Sequence, residues 1–523
     1  MIKTVFLSAA ALALATPAYG QSMPGMAMPM PSKPSAKAKA PAKKSALKKM
    51  APAPAKQRPA KAAAKPAPPP SEPATNDHSA MGHGATSMPG MTMPTPNQAE
   101  SPPASAPMAP MDHSQMDHGS GDGAAMAAMP GMDHGAHAAM TGVLGSYPME
   151  RESSGTAWQP DRSEHTGLMS QSGDWMLMGH GVLNLVYDHQ TGPRGDSKAF
   201  VSGMLMGMAR RPLGNGTLQL KAMLSPDPLM GKRGYPLLLA SGETANGTDR
   251  LIDRQHPHDF FMELSGSVSQ NIGSKSSLFL YAGLPGEPAF GPPAFMHREA
   301  IQDSPEAPIS HHWLDSTHIS FGVLTAGVVI NRVKLEVSRF NGREPDQHRW
   351  NIETGPLDST ALRVSWNPTA ELALQGSWGH FTDPEQLEPG VDQKRWSASV
   401  LYARDIAPDW KLAGTLAWGR KTASGHSDDA LALEASVKHR DWTIFGRGEL
   451  IENRELIDTV EPGTAYCVGK VSLGAVRDFK IADHFALGLG GLLAVNFVPG
   501  SLAPLYGARG QAGMMGFVRL KLN

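Results

Sequence analysis

From about residue 147 onward, apolar and polar side chains alternate with a period of two in one short stretch after another. Val333, Leu335 and Val337 alternate with Arg332, Lys334, Glu336 and Ser338, and Leu372, Leu374, Gly376 and Trp378 alternate with Glu371, Ala373, Gln375 and Ser377. The rows Trp396, Ala398, Val400, Tyr402, then Leu412, Gly414, Leu416, Trp418, then Leu431, Leu433, Ala435, Val437 keep the same rule. Successive side chains of a strand point to opposite faces, so each stretch predicts a β-strand with one greasy face and one polar or tiny face. Gly, Pro, Asp and Asn separate the stretches as turns. Candidate strands lie near residues 175, 200, 217, 260, 277, 318, 328, 360, 371, 396, 410, 431, 442, 468, 483 and 512. The fold class is therefore all-β and antiparallel, with about 12 to 16 strands. A soluble sandwich shows the same alternation, so the pattern alone leaves the surroundings open.

The N-terminus narrows the choice. Lys3, the apolar run from Val5 to Ala15 and the small residues around Tyr19 read as a signal peptide over residues 1–20. Gln21, not cysteine, follows the cleavage site, and no later stretch has the roughly eighteen consecutive apolar residues of a membrane helix. Export without anchor or helix, strands near ten residues long, and Trp or Tyr recurring near strand ends together predict an outer-membrane β-barrel over residues 146–523. Closure also removes the edges that so long a sheet would expose. Formal net charge is −1, which gives no reason to expect a nucleic-acid partner, and the single cysteine, Cys467, excludes a disulfide framework. The expected partner of the outer face is membrane lipid.

Residues 21–145 have no such pattern. From Gln21 to Ser71 there is no acidic residue, and lysines recur among Ala and Pro, which predicts an extended cationic linker. Methionine-rich pieces flank it, and the unit Met-Asp-His occurs at Met111–His113, Met116–His118 and Met132–His134, with His137 close behind. A disordered segment has no core for methionine to fill. Thioether sulfur is a soft donor that suits Cu(I), imidazole also accepts Cu(II), and the adjacent carboxylate can orient the ring. Met111, His113, Met116, His118, Met132, His134 and His137 are therefore candidate metal ligands, and the tail is expected to lie in the periplasm.

Strand parity supplies a second set. If Trp175, Leu177, Leu183 and Leu185 face lipid, then Met176, Met178 and His180 face the lumen. If Val201 and Leu205 face lipid, then Met204, Met206 and Met208 face inward, with Met223 near them on the third strand. Successive same-face side chains lie about 7 Å apart, so one ladder cannot chelate, but two neighbouring ladders can supply a pair of sulfurs. These methionines can equally serve to fill a narrow lumen.

The third set lies between Arg250 and Trp350, which holds seven of the twenty histidines. His256 and His258 flank Pro257, Met296 and His297 follow a Pro-rich turn, and His311, His312 and His318 are expected to open a strand in which His312 and His318 share a face. Asp253, Asp259, Asp315 and Asp346 are candidate orienting carboxylates, with Arg254, Arg298, Arg343 and Arg349 balancing charge. Two other uses of these residues stay open: a salt-bridged network that braces the interior, and a hydrolase built on Ser310 or Ser316 with a neighbouring His and Asp315. No Gly-x-Ser-x-Gly elbow is present, and triads rarely assemble from residues adjacent in sequence, so no enzyme is expected.

The Met/His segment from Met81 to Met140 resembles that of the bacterial outer-membrane copper-resistance protein B family. The strings Arg-Gln-His-Pro-His-Asp, Pro-Ala-Phe-Met-His-Arg and Ser-His-His-Trp-Leu-Asp-Ser-Thr-His are similar to those of barrel proteins from bacterial copper-resistance loci, over most of Gly167 to Asn351. The resemblance implies copper tolerance, by sequestration or by export of periplasmic copper, with a periplasmic copper oxidase or chaperone as the class of partner to expect. Copper against silver, and the direction of transport, stay open, as does a passive pore without a metal role.

Overall fold

The computed structural model describes residues 140–457 and 463–522. The signal peptide and the tail candidates from Met111 to His137 lie outside these residues.

Sixteen strands pair antiparallel, each with the next, into a closed barrel. In order they are β2 (Trp175–Gln190), β3 (Ser197–Leu213), β4 (Gly216–Leu224), β7 (Phe261–Gly273), β8 (Ser276–Gly283), β9 (Val323–Ile330), β10 (Val333–Phe340) and β11 (Ser359–Trp366). The wall continues through β12 (Leu372–Phe381), β13 (Gln393–Ala407), β14 (Trp410–Ala423), β15 (His426–His439), β16 (Trp442–Asn453), β17 (Tyr466–Ala482), β18 (Phe485–Phe497) and β19 (Gly510–Leu522). The last strand closes on the first, from Leu522 opposite Gly181 to Gly513 opposite Gln190. Where β19 stops, the short β1 (Leu168–Ser172) takes over the same edge of β2, from Leu168 opposite Gly179 to Ser172 opposite Trp175. No backbone edge is thereby left bare along β2.

The alternation read from the sequence is the alternation of the wall. Leu335, Val337, Trp396, Val400, Leu416 and Leu433 point outward, while their neighbours Lys334, Glu336, Arg395, Ser399, Thr415 and Glu434 are buried inside. Trp366, Trp410, Trp442 and Phe485 ring the end where strands are joined by short turns, and Tyr187, Trp396 and Phe497 lie toward the end with long loops. An apolar band between two aromatic girdles is the exterior of an outer-membrane barrel. Leu433 tests this directly. It is 58% exposed near the middle of β15, so Leu433→Arg is expected to cost ~2–4 kcal/mol of folding into lipid vesicles, measured by urea titration. A loss below about 1 kcal/mol would mean that this face does not meet lipid.

The core lies inside the barrel. A buried hairpin, β5 (Tyr235–Thr244) with β6 (Arg250–Gln255), interrupts the connection from β4 to β7. Leu237, Leu238 and Leu239 of β5 pack with Trp313 and Leu314 against Ala417, Ala432, Phe445 and other inward residues of the wall. Consecutive leucines buried on both faces escape a period-two test, which is why the hairpin was not among the candidate strands. At the turn end, Val143, Leu144, Tyr147 and Trp158 of the segment preceding β1 pack on Phe279 and Val329.

The long connection from β8 to β9, residues 284–322, folds inward and is pinned to the wall by ionic contacts. Arg298 reaches Glu434 of β15, Glu306 pairs with Lys470 of β17, and Asp303 takes Arg519 of β19. The strand expected near residue 318 does not form. His311–Leu314 is a single helical turn and Ser316–His318 a 3-10 turn. β8 already pairs with β9, so the wall offers this segment no free edge, and the His311–Asp315 bond at i,i+4 favours a helical turn.

Candidate functional site

Among the described residues, two groups of histidine and methionine side chains of the types that can ligate a metal occupy the lumen. The first lies toward the turn end and confirms the predicted parity. Met178 and Met204 are buried, Met176, Met206 and His180 are partly so, and the intervening Leu177 and Leu205 face outward. Antiparallel register sets His180 opposite Met206 and Met206 opposite Met223, so one row crosses three strands, and Met178 stands opposite Met208 in the next row. Met296 and His297 descend from the inward connection to complete the set. Met176, Met178, His180, Met204, Met206, Met208, Met296 and His297, all predicted, line one cavity of ≈140 Å³. Met149 also lines it and was missed, because it lies in a segment without strand periodicity. The His180 and His297 rings are 6.3 Å apart, and neither Nε2 has a hydrogen-bond partner.

The second cluster lies deeper, between the hairpin, the inward connection and the start of β7. His258, His311 and His318 each offer a ring nitrogen within 4.8 Å of the others, and all three are buried. Their orientation is fixed from behind. His258 Nδ1 is 2.9 Å from Asp227 Oδ2, His311 Nδ1 is 2.8 Å from Asp315 Oδ1, and His318 Nδ1 is 2.7 Å from the carbonyl of Asp315. An ionised carboxylate or a carbonyl only accepts, so each Nδ1 carries the proton and each Nε2 presents its lone pair. The Nε2 atoms of His258 and His318 have no other partner. His256 repeats the arrangement, with Nδ1 3.2 Å from Glu243 Oε2 and Nε2 unpartnered.

Burial holds His256 and His318 well below the usual imidazole pKa, with Arg349 adding to the effect at His256, and His311 is also lowered by burial. All three rings are thus neutral at neutral pH and available as ligands. Burial raises the Asp315 carboxyl, but Arg298 and His311 outweigh it and hold the group well below the ordinary carboxylate range. His312 behaves differently. It turns to Glu344 at 3.1 Å, which lifts its pKa against the effect of burial. Gly242, at φ 120°, leaves room for its ring, since a Cβ there would lie 2.7 Å from His312 Nε2.

The predicted orienting partners need correction. Of the four aspartates, only Asp315 holds a ring of the cluster. Asp253 binds Arg194 and Tyr506, Asp259 binds Arg349, and Asp346 pairs with His348 on the loop surface. Asp227, Glu243 and Glu344 take their places from positions 31, 13 and 32 residues away from their histidines, a distance at which sequence gives no signal. Likewise His311 and His318, not His312 and His318, face one point. Of the four arginines, Arg298 and Arg349 do balance buried charge, whereas Arg254 faces Asp196 and Arg343 faces Asp358. Bracing and ligand convergence therefore coexist: the ionic network surrounds the histidines and sets their positions. Ser310 Oγ donates to Glu449 and Ser316 Oγ accepts from Arg395, so both hydroxyls are turned to groups other than an imidazole.

No family profile and no curated protein matches this sequence. Among solved structures, the chain is similar to the anion-selective porin from Comamonas acidovorans, at 13% identity and a TM-score of 0.38, with 66% of this chain and 100% of that one covered. It is also similar to OmpF of Salmonella typhi, solved in complex with daunomycin, at 10% identity and a TM-score of 0.43, covering 67% and 100%. OprB of Pseudomonas putida aligns at 10% identity and a TM-score of 0.42, covering 66% and 94%. The class defined by the fold is an outer-membrane β-barrel.

Proposed function

We propose that this barrel binds copper in its lumen and contributes to copper tolerance by sequestering the ion or carrying it across the outer membrane. The observation that carries the reading is the convergence of His258, His311 and His318, each with Nδ1 held from behind and together able to face one ion. Ring nitrogens around a single ion at ~2.0–2.1 Å lie ~3.3–3.6 Å apart, so closing the set needs rotations of about 1 Å. Carboxylate-backed imidazole is a recurrent metal-site arrangement, because the partner fixes the tautomer and raises ligand basicity. The methionine-lined cavity adds soft donors that favour Cu(I) and Ag(I) over Zn(II).

The Met-Asp-His units of the tail would gather ions in the periplasm. His137, just behind the last of them, precedes by three residues Met140, whose sulfur lies 3.3 Å from Arg210 at the turn end of β3. A periplasmic copper oxidase or chaperone would supply or receive the metal there.

Cu(I) titration of the mature chain against a chromophoric chelator, beside a chain lacking residues 21–139, tests the proposal. At least one tight site is expected to survive the deletion, and binding confined to the full chain would reduce the barrel to a support for the tail. A sixteen-stranded wall is wide enough to enclose an aqueous channel, which favours a pore as the second reading. Unselective ion conductance without metal binding by the truncated chain would establish it.

A further inference from the structure

Resting on the copper reading, we infer that the two clusters are stations on one route, and that His297 is the residue that joins them. Among the described residues, five buried imidazole Nε2 atoms have no hydrogen-bond partner: those of His180, His297, His318, His258 and His256. A buried polar atom left unpaired is costly, so five of them mark a place shaped for something other than the protein itself. They are not scattered. His180 belongs to the methionine-lined cavity and lies 6.3 Å from His297. His297 shares one 3-10 turn with Phe295, whose ring lies 6.1 Å from that of His258 and 5.8 Å from that of His311. The His318 ring is 5.0 Å from that of His258 and 5.2 Å from that of His311, and His256 follows at 6.4 Å from His258. Met296, beside His297, packs both on the cluster of Met204 and Met223 and on the one containing Trp313 and Leu314.

The row meets a cavity at each end. At the turn end it begins in the ≈140 Å³ cavity. Toward the loops, His256 and His312 are backed by Glu243 and Glu344, which line a small pocket with Arg250 and Glu385. Those last two residues also line a larger pocket of ≈270 Å³ at the loop end. The sequence of donors along the row is thioether, imidazole, then carboxylate. Each step is a ligand exchange at constant oxidation state: a bond from the ion to the next sulfur, nitrogen or oxygen donor forms as the bond to the previous donor breaks. No proton moves at His258, His311 or His318, because Nδ1–H stays on its acceptor throughout. With metal–nitrogen bonds of ~2 Å, ring separations of this size require only short displacements of the ion and small rotations of the rings.

The test is Cu(I) entry into vesicles containing the full mature chain, with a Cu(I)-specific chelator dye enclosed, for the wild type, His297→Ala and His297→Met. His297→Ala is expected to slow entry at least tenfold while the tightest Cu(I) site, that of His258, His311 and His318, keeps its equilibrium affinity in detergent within twofold of wild type. His297→Met restores a soft donor at the same place and should recover most of the rate. Heat-modifiable gel mobility shows that each variant is folded. Entry unchanged in His297→Ala, equal entry in the two variants, or affinity lost together with entry would each overturn the route. Wild-type protein that binds Cu(I) but admits it no faster than protein-free vesicles would also end the route and leave the copper reading standing; protein that binds no Cu(I) would end both.

Discussion

Mature chain in which His258, His311 and His318 are all alanine is expected to lose its tightest copper site, leaving only the weaker binding of the tail and the methionine-lined cavity. Replacing an orienting partner of a metal-bound histidine typically costs 10–100-fold in affinity. Removing three ligands exceeds that, so the site should fall outside the range of the competing chelator. Asp227→Asn supplies the intermediate case. It keeps the shape of the side chain but can present an amide N–H where His258 Nδ1–H now finds an acceptor. The ring then loses the contact that fixes its tautomer, and a ~10–100-fold loss is expected. A graded series, wild type above Asp227→Asn above triple alanine, points to ligation by the cluster. Equal affinity across the series, with all three barrels folded, would remove the cluster from the copper reading.

How much of this was readable beforehand follows from which forces act locally. The wall was legible because lipid outside and a polar lumen inside impose opposite demands on successive residues, and a period of two records them in Leu431, Leu433, Ala435 and Val437. The methionine-lined cavity was legible for the same reason, since parity alone assigns Met176, Met178 and His180 to the inner face. The deep cluster was legible only as composition. His258, His311 and His318 stood out, but their backing residues did not, because Asp227 and His258 meet through the fold and share no sequence pattern. The helical turn at His311 was misread as a strand because its immediate residues fit either state. What decides between them is a tertiary fact: the neighbouring wall strands are already paired with each other.

Arg298 ties the inward connection to the wall and to the cluster at once. It is fully buried, with Nη1 2.5 Å from Asp315 and Nε and Nη2 both 2.7 Å from the carboxylate of Glu434. A buried charge whose partner is removed is strongly destabilised, by ~3–5 kcal/mol, whereas replacing an entire pair with apolar groups can be neutral. Arg298→Met is therefore expected to weaken the inward connection by about that amount. Glu434 keeps Arg447 at 3.1 Å, so the deficit falls on Asp315, whose remaining side-chain partner is the neutral His311 ring. Because Asp315 holds His311 through its carboxylate and His318 through its carbonyl, two of the three converging rings lose their anchor. Hydrogen exchange should accelerate across residues 295–318 and stay unchanged in β14 and β15, whose strand pairing does not involve Arg298. Copper affinity should fall with it. Arg298→Lys keeps the charge but not the forked geometry and should show an intermediate effect. Arg298→Met combined with Glu434→Gln separates the two partners: because the deficit lies at Asp315, the second change should recover little. Full recovery would place the strain at Glu434 and take Asp315 out of the account, and exchange across residues 295–318 that is unaltered by Arg298→Met would mean that the ionic network is not what holds the histidines in place.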